Sequence, residues 1–429
     1  MKIKDVCARE ILDSRGNPTI ETTIVLENGM TATSSVPSGA SVGKYEALEL
    51  RDNDPGRYNG MGVLKAVANV NEVIKPKILG MEVKNQLEVD KTLISLDGTE
   101  NKSKLGANAI LSVSQAVCKA AALEENVPLF IHIGHLYSPK PEEMKIPIPI
   151  FNVINGGKHG AGNLDFQEFH IIPSGLKNYS ESLRMGEEIY QGVKKVLIRH
   201  GAIHSVGDEG GFAPNLFTNL DALEVLVTAI SEAGYIFKQD IFLGLDVAAS
   251  HFYQGGRYKI RDKTMPCDAE ELTDFYRELL VQYPLLSLED PFYEDDWESW
   301  QKITQEFPSM MIVGDDLLAT NRKRVEMAIA RKACGAILIK PNQIGTVAET
   351  IEVIKIARQA GWKIVVSHRS GETNDDFIAD FAVGVGAEYV KFGAPARGER
   401  VAKYNRLLKI QEELEKNSNN DKASSSYHS

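Results

Sequence analysis

The first third of the chain combines extended and helical hydrophobic patterns. β-Branched residues fill 19–26, and Asn28 with Gly29 forms a strong hairpin signal before the next extended run, which predicts a small antiparallel sheet. Apolar residues then recur at helical spacing in two stretches, at Val63, Val67, Val70 and Ile74 and at Leu105, Ala109, Val113, Val117 and Ala120. These patterns predict an α+β domain over residues 1–137.

A longer series of apolar runs follows the proline-rich stretch from Ser138 to Pro149. It predicts two strands and two helices, followed by six strand–helix pairs, with the first four elements near 148–154, 166–172, 179–200 and 219–233. Only residues 155–165 separate the first two strands, too few for a parallel crossover helix, so that pair should be antiparallel. The pattern predicts an irregular eight-stranded α/β barrel, ββαα(βα)6, over residues 138–415.

Composition narrows the class of protein. The chain has 429 residues, 43% of them hydrophobic and 25% charged, within the globular range, and it contains no apolar run of membrane-spanning length. Its first residues show no signal peptide, so a cytoplasmic location is expected. Four widely scattered cysteines indicate reduced, packed thiols, and the polar segment 416–429 predicts a disordered tail.

The net charge of −11 disfavours sequence-independent binding to nucleic acid. An anionic ligand would therefore need metal ions or local basic groups to attract it.

Six apolar runs in the second half each end on a residue suited to polar chemistry. These residues are Asp246, Glu289, Asp315, Lys340, His368 and Lys391. Neighbouring ends are separated by about the length of one strand and one helix. Because barrel active sites lie where the strands end, the six side chains are expected to converge on one site.

Asp246, Glu289 and Asp315 would place three carboxylates on one rim. Oxygen-only ligands suit a hard divalent cation such as Mg²⁺, whereas zinc prefers His or Cys. The alternative is that each acid caps the following helix, but three close carboxylates repel one another unless a cation or proton compensates them. Asp290 and Asp316 should point to the opposite face by strand alternation, as supporting groups.

Two lysines end later strands. Lys340 precedes Pro341, and like charge from a metal and from Lys391 would lower its pKa toward that of a general base. The alternative for each lysine is a surface side chain with its ammonium in water. Lys391 is expected to remain a cation that holds an anionic substrate.

His368, Arg369 and Ser370 bring an imidazole, a forked donor and a hydroxyl together, a set that suits a phosphate; the alternative is a helix-capping serine beside a surface arginine. Glu209 lies among Gly207, Gly210 and Gly211 and is a candidate general acid or a loop contact.

The remaining candidates lie in loops and in the second strand. His159 sits in a glycine-rich loop and would either close over a ligand or be solvated, and Glu168 follows Gln167 in a strand. His170 is interpreted as a packed strand histidine. Residues 37–44 fail the P-loop spacing, but a small-residue lid there would offer oxygen atoms of Ser41 to a cation.

Several motifs together resemble the enolase family, from about Arg9 to Leu414. SHRSGET and KPNQIGT are highly specific, and they are accompanied by SGASVGKYEALELRD, NVINGGKH, DFQEF, VGDEGGFAPN, SLEDPFYEDDW and KFGAPARGER. The resemblance implies a carbon–oxygen lyase that interconverts 2-phosphoglycerate and phosphoenolpyruvate in glycolysis and gluconeogenesis. Departures from the family pattern are confined to Val42, Lys158, Gly160 and Phe392.

The resemblance also implies roles for individual residues. The catalytic residues would be Lys340, which takes the proton, Glu209, which assists loss of hydroxide, Glu168 and His368. Substrate would be bound by His159, Glu168, Arg369, Ser370 and Lys391. One Mg²⁺ would be held by Asp246, Glu289 and Asp315, and a second, arriving with substrate, by Ser41 and the phosphate.

The family forms homodimers or octamers, and Arg15 and Glu21 lie in the segment used for dimer contacts. Two other functions stay open from the sequence. One is a superfamily racemase or cycloisomerase, which would keep the metal carboxylates but would not need SHRSG. The other is a non-catalytic binding role, including display at a cell surface.

Overall fold

The computed structural model describes residues 1–39, 43–138, 144–160, 162 and 164–425, with side chains of the last helix described as far as residue 416. The N-terminal sheet contains three antiparallel strands in the order β1–β2–β3, which are β1 (Ile3–Leu12), β2 (Pro18–Leu26) and β3 (Thr31–Ser35). Gly29 adopts a φ of 86° in the turn after β2, and the Asn28 side chain accepts a hydrogen bond from the backbone N–H of Met30. The predicted hairpin is therefore present.

Five α-helices follow this sheet in the described part of the chain before the barrel. They are α1 (Leu64–Ala68), α2 (Lys75–Ile78), α3 (Gln86–Asp97), α4 (Ala107–Glu125) and α5 (Leu129–Tyr137), with a π-helical segment, Asn69–Ile74, joining the first two. Helices α1 and α2 contact β1, and α4 packs on β2 and β3. Val113 and Val117 of α4 are fully buried with Ile20 and Ile24 of β2, so the apolar faces that the periodicity predicted form one core.

The second part of the chain forms the predicted barrel. Its elements are β4 (Ile148–Asn155), β5 (Glu168–Pro173), α6 (Tyr179–Arg199), α7 (Asn219–Glu232), β6 (Ile241–Asp246), the small hairpin of β7 (Tyr253–Gln254) and β8 (Arg257–Tyr258), α8 (Ala269–Gln282), β9 (Leu285–Glu289), α9 (Trp297–Glu306), β10 (Met311–Gly314), α10 (Arg322–Arg331), β11 (Ala336–Ile339), α11 (Val347–Gln359), β12 (Lys363–Ser367), α12 (Phe377–Gly384), β13 (Tyr389–Lys391) and α13 (Gly398–Ser425). The barrel is closed in the order β10–β11–β12–β13–β4–β5–β6–β9.

The strand directions also follow the prediction. β4 pairs antiparallel with β5, and β5 pairs antiparallel with β6, whereas the other barrel pairs are parallel. The reversal of β5 brings its first residue to the rim where its neighbours end. Glu168 is therefore in register with Asp246, which in turn is in register with Glu289 on β9.

A packed layer fills the barrel below this rim. It contains Ile150, Ile172, Val313, Ala336, Leu338 and Val365, all buried. A larger apolar cluster lies between the strands and the surrounding helices. Because barrel interiors are packed cores and not pores, the polar side chains at the rim rest on a rigid floor.

Helices α7 and α8 begin with capping boxes. Thr218 pairs with Asp221, and the Asp268 carboxylate accepts hydrogen bonds from the backbone N–H groups of Glu270 and Glu271 at 3.0 Å each. Side-chain oxygens thus satisfy the first N–H groups of these helices.

The N-terminal part contacts the loops above the barrel rim. Ser38 and Gly371 exchange two backbone hydrogen bonds, at 2.7 and 2.9 Å, and the Ala47 N–H donates to the Gln343 carbonyl at 2.8 Å. Helix α5 packs against α12. The loops that follow β11 and β12 are therefore held from both sides.

Helix α13 is described as far as Ser425, and the disordered tail predicted for residues 416–429 stays a prediction. One expectation from the sequence needs amendment. Cys118, Cys267 and Cys334 are buried free thiols, but Cys7 is exposed on β1, because alternation turns its side chain outward. None of the helices in the described part of the chain is long and apolar enough to cross a membrane.

Candidate active site

A polar cleft opens at the carboxyl ends of the barrel strands. Ten of the residues singled out in the sequence line it, namely His159, Glu168, Glu209, Asp246, Asp315, Lys340, His368, Arg369, Ser370 and Lys391. Glu289 joins the same cluster through Lys391. Ser41 lies outside the described residues.

Lys391, at the end of β13, lies among three carboxylates. Its Nζ is 2.8 Å from Glu289 Oε1, 3.2 Å from Glu168 Oε2 and 3.5 Å from Asp246 Oδ2. Burial acts to lower the pKa of Lys391, but the three carboxylates outweigh it and raise that pKa well above its ordinary value. The ammonium is therefore charged at neutral pH.

Lys340, which follows β11, has one close carboxylate. Its Nζ lies 2.5 Å from Asp315 Oδ2. Burial and the positive charges of Arg369 and Lys391 act to lower the pKa of Lys340, yet Asp315 shifts the balance upward. The like charge of Lys391, which the sequence predicted to lower the pKa of Lys340, does act in that direction, but the charge of Asp315 outweighs it in this arrangement.

The carboxylates at the ends of β6 and β9 crowd one another. Burial, followed by the repulsion between Asp246 and Glu289, raises the pKa of Glu289 well above its ordinary value, and burial also raises the pKa of Asp246. Buried carboxylates in this state are stabilised by a cation, and oxygen-only donors match the preference of Mg²⁺. The donor set thus fits this ion.

Acidic groups in the described part of the chain form two clusters whose ligand atoms lie within 4.8 Å of one another, His159–Glu168–Glu209 and Asp290–Asp315–Asp316. The predicted trio does not form such a cluster. Asp246 and Glu289 converge on Lys391, while Asp315 pairs with Lys340, because each carboxylate approaches the nearest ammonium.

Asp290 does not point away from the site as strand alternation predicted. Its backbone takes a φ of 43°, which turns the chain out of the extended conformation just after β9. Its two carboxylate oxygens accept hydrogen bonds from the backbone N–H groups of Asp315 at 2.9 Å and Asp316 at 2.8 Å. Asp290 thus fixes the backbone that presents the Asp315 side chain.

His159 lies between two glutamates. Its Nδ1 is 3.3 Å from Glu168 Oε1 and 3.5 Å from Glu209 Oε1. Burial acts to lower the pKa of His159, but the two carboxylates raise it above its ordinary value. Of the two positions predicted for this histidine, the structure shows the buried one. His170, predicted as a packed strand residue, is buried and also contacts Glu168 Oε2 through Nε2 at 2.8 Å.

Glu209 accepts hydrogen bonds from Asn152 Nδ2 and Ser370 Oγ, both at 2.9 Å, and lies 3.4 Å from His368 Nε2. Burial and Glu168 act to raise the pKa of Glu209, but His159 and His368 lower it below the ordinary value. Glu209 is thus ionised and accepts hydrogen bonds from Asn152 and Ser370.

The glycines around Glu209 leave space that other residues would fill. A Cβ added at Gly207 would lie 2.4 Å from the His159 carbonyl oxygen, and one added at Gly211 would lie 2.5 Å from Asn155 Oδ1. The glycine-bracketed backbone is therefore required by close packing against the His159 loop.

Arg369 contacts residues that the sequence did not single out. Its Nη1 donates to Glu46 Oε2 at 2.8 Å and to Asn342 Oδ1 at 3.1 Å. Glu46 follows the lid segment, and Asn342 follows Lys340. Both residues belong to motifs that carried the family resemblance, Glu46 to SGASVGKYEALELRD and Asn342 to KPNQIGT, but no sequence signal indicated that they contact Arg369.

A second pair of unanticipated residues supports Lys340. Thr320 Oγ1 accepts from the backbone N–H of Lys340 at 3.0 Å and donates to Gln343 Oε1 at 2.7 Å. Gln343 Nε2 in turn lies 3.4 Å from Asp315 Oδ1. The Lys340–Asp315 pair is therefore held by a polar frame on both sides.

Fold and cleft together define an α/β-barrel protein with a carboxylate- and lysine-rich site at the ends of its strands. Two family models match this chain. Enolase, N-terminal domain, matches residues 3–133, and Enolase, C-terminal TIM barrel domain, matches residues 143–428. The chain belongs to the enolase family.

Membership supports a function within the enolase superfamily, as a lyase or isomerase. The superfamily generally uses Mg²⁺, in keeping with the acidic clusters of the cleft. Proteins of this family are commonly oligomeric.

Proposed function

We propose that this protein interconverts 2-phosphoglycerate and phosphoenolpyruvate in glycolysis and gluconeogenesis. The observation that carries the proposal is the placement of Lys340 just after β11 and of Lys391 at the end of β13, on either side of the strand that leads to Arg369 and Ser370. A phosphorylated hydroxy acid has two anionic ends and an acidic hydrogen between them. This cleft offers basic groups for both ends and a second lysine at the same rim.

Substrate recognition would use the forked donor and the fixed cation. Arg369 and Ser370 would hold the phosphate, because a guanidinium matches phosphate oxygens in geometry as well as charge. Lys391, already charged, would face the carboxylate. The Glu46 carboxylate forms an ion pair with the Arg369 guanidinium in this structure. A phosphate that binds Arg369 would therefore displace the Glu46 carboxylate.

Lys340 would take the proton from the carbon beside the substrate carboxylate. A lysine acts as a base only when neutral, so this role requires the hold of Asp315 on Lys340 to weaken. Asp246, Glu289 and Asp315 would hold one Mg²⁺, and Ser41 would help hold a second that arrives with substrate. Bound Mg²⁺ would offset the negative charge that develops on the substrate carboxylate.

The leaving hydroxyl would be assisted from the opposite side of the cleft. His159 Nδ1 lies 3.3 Å from Glu168 Oε1 and 3.5 Å from Glu209 Oε1, and these carboxylates raise the pKa of His159 above its ordinary value, so His159 would supply the proton of this cluster. This cluster would direct a proton toward the departing oxygen, with His368 in contact with Glu209. Proton abstraction and hydroxide loss would thus use separate groups, Lys340 after β11 for the first and the cluster around Glu209 for the second.

The same proposal includes a cytoplasmic location and assembly as a homodimer or octamer. Substrates of this kind are soluble phosphorylated acids, and the superfamily match supports an oligomer without fixing its size.

The experiment follows the ultraviolet absorbance of the enolpyruvate product from 2-phosphoglycerate with Mg²⁺ and then with a chelator. Wild type should form product only with the metal. Lys340→Ala should form none, while Lys302→Ala, an exposed lysine on α9, should match wild type. Failure of metal-loaded wild type to form product, or to exchange the substrate hydrogen for deuterium, would overturn the proposal and leave a racemase or binding role.

A further inference from the structure

Arg400, in the first turn of α13, is fully buried and lies behind the cleft. Its Nη1 donates to His368 Nδ1 at 2.8 Å and to the Arg369 carbonyl at 2.5 Å. Its Nη2 donates to the carbonyls of Ser370 at 2.5 Å and Asp208 at 3.0 Å. One guanidinium therefore joins the loop after β12 to the loop that carries Glu209.

The contact with His368 determines where that histidine carries its proton. A guanidinium can only donate hydrogen bonds and does not lose its proton in proteins. His368 Nδ1 must therefore accept, which leaves the proton of the neutral ring on Nε2. Nε2 is the nitrogen that lies 3.4 Å from Glu209 Oε2.

We propose that Arg400 is a positioning residue that holds His368 in its neutral Nε2–H tautomer, with the hydrogen on the ring nitrogen that lies 3.4 Å from Glu209 Oε2. The inference rests on the proposed function for the catalytic part of its test. Without Arg400, Nδ1 could carry the hydrogen instead, and Nε2 would then present a lone pair to an ionised carboxylate.

The packing around the contact between Arg400 and His368 leaves no room at position 393 for a residue larger than glycine. Gly393 adopts a φ of 88°, and a Cβ added there would lie 2.6 Å from the Glu209 carbonyl, 3.0 Å from His368 Cε1 and 3.1 Å from Arg400 Cδ. The three groups thus meet at a position that only glycine fits.

Lys403 provides a matched control one turn further along α13. It is also buried, and its Nζ contacts the Thr373 and Glu399 carbonyls at 3.0 Å each and Glu372 Oε2 at 2.8 Å. Lys403 therefore fastens the same loop with a buried cation and makes none of its described contacts with His368. A purely structural role would make both cations behave alike.

The direct test is ¹⁵N NMR of the full-length protein with labelled histidine and Mg²⁺, in which a His368→Gln variant identifies the His368 signals. Wild type and Lys403→Met should show a protonated Nε2 and an unprotonated Nδ1. Folded Arg400→Met should lose this preference. A proton on Nδ1 in wild type, or an unchanged tautomer in Arg400→Met, would overturn the inference.

Kinetics supplies the second readout. Arg400→Met should lower kcat about 100-fold, the order of loss for a misplaced catalytic group, with a smaller change in KM. Arg400→Lys, which keeps one donating cation, should recover part of kcat, and Lys403→Met should stay near wild type. An unchanged kcat in folded Arg400→Met, or no recovery with lysine, would contradict the inference. Wild type that is inactive on 2-phosphoglycerate would refute only the proposed function, since the tautomer is measured without turnover.

Discussion

The two lysines at the barrel rim have different surroundings. Lys391 contacts Glu289, Glu168 and Asp246, whereas Lys340 contacts the single carboxylate of Asp315. Both follow apolar strands, but the Lys340 side chain is 13% exposed and that of Lys391 only 3%, so the two differ in the number of acidic partners and in burial. One lysine is fixed as a cation, and the other would become free if one carboxylate were drawn away.

The different numbers of carboxylate partners favour different roles for the two lysines, substrate binding for Lys391 and proton transfer for Lys340. A charge surrounded by three carboxylates costs a great deal to neutralise, because its partners would be left buried and unpaired. A charge with one partner is released when that partner finds another cation. The structure thus favours Lys340 as the base and Lys391 as the permanent anchor, as the proposed function requires.

The largest expected effect is the loss of kcat when Lys340 is replaced. Lys340→Met should lower kcat by about 10⁴-fold, the upper range for loss of a general base, with little loss of phosphate affinity. Steady-state kinetics and binding of inorganic phosphate would measure the two effects. A residual rate within about tenfold of wild type would remove Lys340 from the chemistry.

The next largest effect is the loss of folding stability when Lys391 is replaced. Lys391→Met should lower the free energy of unfolding by about 3–5 kcal/mol without metal, because Glu289, Glu168 and Asp246 lose their shared cation. Lys340→Met should cost less. Urea unfolding in chelator would compare the two, and Lys391→Met/Glu289→Gln should recover part of the loss. Equal losses for both lysines would contradict the contrast.

A smaller effect tests how Asp315 is presented. Asp290→Asn should raise the Mg²⁺ concentration for half-maximal activity about tenfold, as loss of a supporting hydrogen bond does at metal sites, because each backbone N–H donates to a different carboxylate oxygen and an amide replaces one of these oxygens by a donor. Asp268→Asn changes a carboxylate that accepts two backbone N–H groups through a single oxygen at the start of α8, outside the residues that line the cleft. An equal shift for both variants would show that Asp290 has no specific role.

The smallest effect uses a lysine–carboxylate pair away from the catalytic cleft. Lys119 Nζ lies 2.7 Å from Asp375 Oδ1; burial opposes the charge of Asp375, but Lys119 and further hydrogen bonds hold its pKa below the ordinary 3.8. Lys119→Met should cost about 1.5 kcal/mol at pH 7, by loss of a charge-assisted hydrogen bond.

The sign of the pH dependence follows from the lowered pKa. The contribution of Asp375 is complete above its unfolded pKa and disappears as the pH falls through the folded pKa. Urea unfolding of wild type and Lys119→Met should therefore differ by a constant amount near neutrality and converge at strongly acidic pH. A difference that grows on acidification would refute this assignment.

The order of the barrel elements could be read from the chain because it depends on local information. Hydrophobic runs mark strands and helices by their period, and the short segment 155–165 cannot hold a crossover helix, which fixes the direction of β5. The domain limits at 137 and 415 stay predictions, since boundaries depend on contacts that no local pattern records.

The site was predictable where it consists of strand ends. Lys340, His368 and Lys391 reach the cleft because parallel strands end at one rim. The positive φ of Asp290 could not be predicted from the sequence, since nothing in the neighbouring residues requires a left-handed conformation at this position. Glu46 and Arg400 also escaped notice, because their contacts depend on tertiary packing: Glu46 meets Arg369 across 323 residues, and Arg400 meets His368 from helix α13, 32 residues away.

Closure of the barrel through the pairing of β13 with β4 has a consequence for synthesis on the ribosome. The first barrel strand emerges early, yet its outer partner is among the last segments to be made. Until then β4 presents an unsatisfied edge to other nascent chains, and such edges invite intermolecular pairing. The nascent chain must therefore be protected from intermolecular strand pairing, by chaperones or by rapid synthesis and folding, for almost the whole time that its barrel is being translated.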